Sequence, residues 1–236
     1  MATILAVDTS AKSVSCALVR NGRVLASFFS NTGLTHSQTL LPMVEDLLRV
    51  ADVTVDKLDA LSVNAGPGSF TGVRIGVAAV KGLAFTGKKP CIAVSTLECM
   101  AMNVPLRPDV VVCGVMDARC QQVYTALFSV DEAGAPIRLW DDEAISITEL
   151  GERLRAVGKD VVLVGDGSEL CYEALKGTIA GLSLAPVSAR LQNAVGTALV
   201  AERLFEQGVT VFAEELLPTY LRLPQAEREL KSRLGK

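Results

Sequence analysis

The sequence predicts an α/β fold made of two βββαβα units. Three observations predict it. Two strand meanders are each followed by a helix, a buried strand and a second helix. An aspartate, Asp8 or Asp117, ends the first strand of each meander. Each later strand runs into a glycine turn, Gly66-Pro67-Gly68 in one half and Gly165-Asp166-Gly167 in the other.

The elements follow from local pattern. Ile4-Leu5-Ala6-Val7 is a short apolar run, and residues 13–20 alternate β-branched with small side chains. Asn21-Gly22 is a strong hairpin signal, with a third strand over 24–29. A helix is predicted over 37–51, because Leu40, Val44, Leu47, Leu48 and Ala51 recur at spacings of three and four. Pro42 is expected near its first turn, where proline is tolerated. A strand over 61–64, a helix over 71–85 and a strand over 91–94 follow. Ser95 and Glu98 form a capping-box pattern opening the next helix. The second half reads as strands over 110–116, 121–130 and 137–145, helix 148–156, strand 161–164 and helix 168–175. A long helix over 189–207 closes the globule. Prolines then make 218–224 extended, and the last dozen residues read as a charged, frayed end.

The halves overlay without a gap at their openings. Asp8 matches Asp117, Val14 matches Val123, and Ala17-Leu18 matches Ala126-Leu127. Residues 1–105, with the closing helix, are expected to form one lobe, 106–188 the other, and 208–236 a tail. Two such units facing each other describe the duplicated fold of the actin, Hsp70 and sugar-kinase (ASKHA) group, in which nucleotide sits between the lobes.

Composition narrows the function. Half of the 236 residues are hydrophobic and 21% charged, which suits a substantial core and argues against disorder. The net charge is −3, so the chain has no basic surplus with which to bind nucleic acid alone. No apolar stretch reaches membrane-span length, and the start lacks a basic n-region, which suits a cytoplasmic protein. Six cysteines without a CxxC pair read as buried thiols. His36 is the single histidine and has Leu40 four residues on, so no metal site is predicted.

Chemistry concentrates in two segments. Gly66, Gly68, Ser69, Thr71, Gly72, Arg74 and Gly76 lie where a buried strand opens a helix, a natural anion site. The segment matches neither GxxxxGK[ST] nor GxGxxG. Its other reading is close packing: Gly72 and Gly76 share a face, and a helix otherwise apolar nearly all round is expected to be buried on both sides, one of them by another subunit. Asp8-Thr9-Ser10 is either a degenerate phosphate turn, with Thr9 where active kinases place glycine, or an ordinary Asx turn. An enzymatic alternative is an ASKHA-type ATPase or small-molecule kinase using Asp8 or Asp117 near a magnesium nucleotide.

Ile4 through Ser10, the glycine segment through Lys81-Gly82-Leu83-Ala84, and Val94 through Glu98 closely resemble the TsaB (YeaZ) family. So do Asp117-Ala118-Arg119, Val164-Gly165-Asp166-Gly167 and Pro218-Thr219-Tyr220-Leu221-Arg222. The resemblance implies the duplicated fold with a reduced second lobe. It implies a non-catalytic subunit in threonylcarbamoylation of adenosine 37 of ANN-reading tRNAs. The implied partners are TsaD, which transfers the group, and the ATPase TsaE, with a homodimer when TsaD is absent. ATP or ADP is expected at the interface with TsaD or in TsaE, and tRNA only through the complex. The expected interface is the two first-lobe helices, through Leu40, Val44, Leu47, Leu48, Gly72, Val73, Gly76, Val80 and Lys81. The degenerate nucleotide or phosphate site would comprise Asp8, Thr9, Ser10, Gly66, Gly68, Ser69, Thr71, Arg74 and Asp117.

Overall fold

The computed structural model describes residues 2–105, 107–131 and 136–222. In the first meander, β1 (Thr3–Asp8) and β2 (Val14–Arg20) are covered on both faces, which is why their apolar runs barely alternate. Asn21 and Gly22, both at positive φ, turn the chain into the edge strand β3 (Arg23–Ser30). Helix α1 (His36–Val50) returns over the sheet and buries Leu40, Val44 and Leu47. Pro42 is in its second turn rather than its first, so one internal helix bond is missing on the exposed side.

The chain continues through β4 (Ala60–Gly66), α2 (Phe70–Phe85), β5 (Cys91–Ser95) and α3 (Thr96–Ala101). The first sheet has the order β3-β2-β1-β4-β5, with β1, β4 and β5 parallel. The Ser95 hydroxyl caps α3 by accepting from the Glu98 amide at 3.3 Å.

The second unit repeats the plan with β6 (Val110–Asp117), β7 (Gln122–Val130), β8 (Pro136–Arg138), β9 (Glu143–Ser146), α4 (Ile147–Val157), β10 (Asp160–Val164) and α5 (Ser168–Leu175). It then adds β11 (Leu182–Leu184) and α6 (Val187–Arg190), neither of which the sequence pattern announced. The sheet order is β11-β10-β6-β7-β8, and β9 also pairs with β7. The duplicated βββαβα plan is therefore present.

Four details differ from expectation. The single strand expected over 137–145 is two strands, because β8 and β9 pair with opposite ends of β7. The closing helix starts late, as α7 (Ala194–Glu206), where the Asn193 side chain accepts from the Val195 amide. The gapless overlay slips by one residue after the first turn: Asp8 pairs with Ser15, whereas Asp117 pairs with Val123. The second hairpin connection is one residue shorter, and Arg119, Cys120 and Gln121 make it with three successive positive φ values. Fourth, Cys120 is exposed at that tip, while the other five cysteines are buried as expected. The charged end expected over the last dozen residues, within 223–236, lies outside the described residues.

Helices α1 and α2 cover one face of the first sheet. Its other face packs against α7 through Ala6, Ala17, Ala194 and Ala198, and against α3 nearby. The opposite side of α3, with Leu97, Met100 and Ala101, packs on Val112, Ala126 and Phe128 of the second sheet. Helix α3 thus lies between the two sheets, with α7 beside it on the first, and α4 and α5 cover the outer face of the second sheet. Among the described residues no helix is long and apolar enough to cross a membrane.

Candidate functional site

A cleft of about 390 Å³ lies between the lobes, where the β1–β2 turn and the start of α2 face the β6–β7 turn and Asp166. The structure separates the residues expected there into two groups.

The first group is sealed inside the first lobe. Asp8 is 1% exposed; its Oδ1 accepts from the Ser10 amide at 2.8 Å and the Ser10 hydroxyl at 2.7 Å. Burial pushes the Asp8 carboxyl up, against the lowering effect of those bonds. The Asn64 side chain lies near enough to lower it as well, although Asp8 Oδ2 makes no well-aligned hydrogen bond among the described residues. The buried Thr9 hydroxyl donates to the Gly72 carbonyl at 2.7 Å. The Ser69 amide at the head of α2 donates to the Ser10 carbonyl at 2.7 Å, so an amide well placed for an anion is already engaged. The Ser69 hydroxyl caps the helix.

The glycines serve that same packing. A Cβ on Gly68 would overlap the Ser10 carbonyl, and one on Gly72 the Thr9 carbonyl. A Cβ on Gly66 would overlap the carbonyl of Thr219 in the C-terminal strap, whose amide donates to Ala65 at 2.6 Å. On Gly76 it would lie 2.5 Å from Thr9 Oγ1 and 3.0 Å from Val63 Cγ2. Gly72 and Gly76 therefore face this chain's own first turn and sheet, which corrects the expectation that they meet another subunit.

Five more of the expected interface residues are turned inward. Leu40, Val44, Leu47, Val73 and Val80 are buried in the core under α1 and α2. Leu48 is half-buried against that core, and Lys81 donates to the Glu214 carbonyl at 3.2 Å. Helix α2 is apolar nearly all round because the sheet, α1 and residue Leu216 of the strap each contact it. The outward faces carry other residues: Leu41 on α1, and Ala78 and Phe85 on α2.

The second group opens to the cleft. Asp117 and Arg119 are on the β6–β7 turn, where the Arg119 amide donates to Asp117 Oδ1 at 2.8 Å. Asp166 accepts from the Gln192 side chain at 2.9 Å. Burial first, and the neighbouring Asp117 charge second, raise its pKa. Sequence reading placed Asp166 in a turn but missed its role. The signal was its equivalence to the first glycine turn. It also read 218–224 as extended without placing that strap against the two lobes. Tyr220 accepts from Arg74 Nε at 2.9 Å, Phe70 lies under the Arg74 guanidinium, and Arg222 donates to the Ala118 carbonyl at 2.9 Å, joining the lobes. Thr71 and Arg74 are exposed on the first turns of α2; Thr71 does not line the cleft, and Arg74 turns to the strap.

His36 Nε2 donates to the Ala11 carbonyl at 2.7 Å and so steadies the β1–β2 turn. Among the described residues no group of three or more His, Cys, Asp or Glu side chains is placed to hold a metal ion.

Comparison with known proteins agrees with this architecture. A sequence model of the family described as "TsaD: tRNA N6-adenosine threonylcarbamoyltransferase" matches residues 30–229. The tRNA threonylcarbamoyladenosine biosynthesis protein TsaB of Escherichia coli is 35% identical over 96% of this chain and 97% of its own. Its Bacillus subtilis counterpart is 32% identical over 95% and 96%. The solved structure of YeaZ from Pseudomonas aeruginosa superposes with a TM-score of 0.75 at 30% identity, covering 94% of this chain and all of that one. The chain belongs to the TsaB (YeaZ) family.

Proposed function

We propose that this chain is a non-catalytic docking subunit in the synthesis of threonylcarbamoyladenosine on tRNA, with a TsaD-type threonylcarbamoyltransferase as its partner. The pathway is the one named for its full-length relatives. The observation that carries the non-catalytic reading is the sealing of Asp8. An ASKHA-type ATPase needs the aspartate of the first turn near the nucleotide phosphates, and here Asp8 is buried on Ser10, against which Gly68 packs.

The docking face in this reading is the outward side of α1 and α2. Phe85 is 73% exposed and Leu41 50%, on helices whose other faces already have partners. The same face accounts for a homodimer when the partner is absent. ATP or ADP at the interface with TsaD or in TsaE, and tRNA contact through the assembled complex, complete the proposal. The net charge of −3 supports the last point.

Light scattering on this chain mixed with a TsaD-type partner tests the docking. A heterodimer at micromolar concentration that Leu41→Glu and Phe85→Glu abolish, with each variant melting normally, is the expected result. Retention of the heterodimer by both variants would remove that face from the interface. Threonylcarbamoyl transfer to tRNA should fail when this chain is omitted and return when it is restored.

A further inference from the structure

The cleft is lined by charges of both signs close together. Lys12, Arg119 and Arg222 line it together with Asp117 and Asp166. Arg222 binds the carbonyl of Ala118, the residue next to Asp117, and the Arg119 guanidinium is 3.7 Å from Asp117 Oδ2. The sign of the charge therefore alternates over a few ångströms. At about 390 Å³ the cavity is at the low end of small-molecule pockets, roughly 300–1,000 Å³.

These features select against a polyphosphate. Asp117 and Asp166 offset two of the cleft's three cations, the Ser69 amide is engaged by Ser10, and Asp8 is sealed away. They also define what the site lacks. Asp166 is half-buried near a second carboxylate, Asp117, and accepts from a neutral amide, Gln192, with Lys12 also close enough to act on it. A cationic group between Asp117 and Asp166 relieves that repulsion. Arg222, with one guanidinium nitrogen on Ala118, has a planar face of further donors suited to a carboxylate. The Tyr124 and Tyr220 rings supply apolar wall beside these charges.

We propose that the interlobe cleft binds a small zwitterion of the α-amino-acid class, its ammonium between Asp117 and Asp166 and its carboxylate on Arg222. This goes beyond the docking reading and uses residues of this chain alone. It is therefore tested without a partner protein.

Calorimetric titration of the full-length chain with glycine, L-serine, L-threonine and L-glutamine is the experiment. At least one should bind saturably. Its N-acetyl and methyl ester derivatives, each lacking one charge, should bind at least about tenfold more weakly. Asp166→Asn and Arg222→Met should each weaken binding by about tenfold or more. If Asp166→Asn fails to fold, Arg222→Met, at the end of the strap, decides. No saturable binding by any of the four amino acids overturns the proposal. So does a derivative that binds as tightly as its parent, or unchanged affinity in a folded Arg222→Met protein. Binding of magnesium-ATP with no amino-acid binding returns the cleft to the nucleotide reading. Association with the TsaD-type partner, followed separately by light scattering, is unaffected by any of these results.

Discussion

Thr9 fills the space that a side chain on Gly76 would need. A Cβ built there lies 2.5 Å from Thr9 Oγ1, and that hydroxyl is fixed by its bond to the Gly72 carbonyl. The two glycines are thus the seat on α2 for the β1–β2 turn.

This relationship sets the cost of filling the seat. Gly76→Ala gains about 1 kcal/mol of helix propensity but must displace Thr9, so its net effect should be small. Gly76→Leu should overpack the core and lower stability by about 1–3 kcal/mol or more. Gly72→Ala should cost more than Gly76→Ala, because its obstacle is the Thr9 backbone carbonyl rather than a side chain. Thermal melting of the three variants checks the ranking. Equal melting temperatures for wild type and Gly76→Leu would place the α2 face elsewhere.

Asp8 makes a pH-dependent prediction. Its folded-state pKa is raised above the ordinary 3.8 by burial. The folded chain therefore holds this proton to higher pH than the unfolded chain does. The resulting stability is complete below about pH 3.8 and is lost as pH rises through the raised value. Asp8→Asn removes the buried charge, keeps an acceptor for Ser10, and should melt at or above wild type at pH 7. That advantage should shrink on acidification. Asp8→Ala strands the Ser10 donors and should cost about 1–3 kcal/mol. A lower melting temperature for Asp8→Asn than for Asp8→Ala would contradict this account.

The thiols should divide by accessibility. Burial pushes Cys16, Cys113 and Cys171 up to about 12, raises Cys91, and raises Cys99 strongly. Only the thiolate reacts, so these five should resist alkylation in the native state. Exposed Cys120 should take up one iodoacetamide equivalent near pH 8, and all six should react in denaturant. Mass spectrometry counts the adducts. Rapid native modification of Cys113 would show that the second sheet opens.

The sequence was most legible where one periodicity governs a segment. The β1–β2–β3 meander, α1, α2 and the Ser95 cap follow from spacing and turn chemistry alone. Legibility failed where partner identity matters. The apolar circumference of α2 shows that its sides are covered, but only the fold shows that sheet, α1 and strap cover them. The same limit hid the cleft. Asp117 and Asp166 are far in sequence from Tyr220 and Arg222, and the four meet because the strap crosses from one lobe to the other. The overlay of halves gave the right units with the wrong register, because a one-residue change in a hairpin connection leaves hydrophobic pattern almost unchanged.

On the side of the molecule where α3 meets the second lobe, Glu98 should act as a clamp. It accepts from Arg138 of β8 at 2.9 Å and from Arg203 of α7. Arg138 also bonds Asp142, which accepts from the Ser95 hydroxyl at 2.6 Å. Two carboxylates and two guanidiniums balance in charge, and the Glu98 and Arg138 side chains are 17% and 28% exposed, so solvent screens them less than a surface pair. Arg138 also stacks on Phe128, so its removal loses packing as well as charge. A double-mutant cycle with Glu98→Gln and Arg138→Met isolates the charged contact from that packing. Urea unfolding should give a coupling energy of about 0.5–3 kcal/mol that persists in high salt. Each single variant should also broaden hydrogen exchange in β8 and α3, since the lobes lose their tie on that side. A coupling energy near zero, or one abolished by salt, would leave the hydrophobic packing of α3 on the second sheet as what holds the lobes together there.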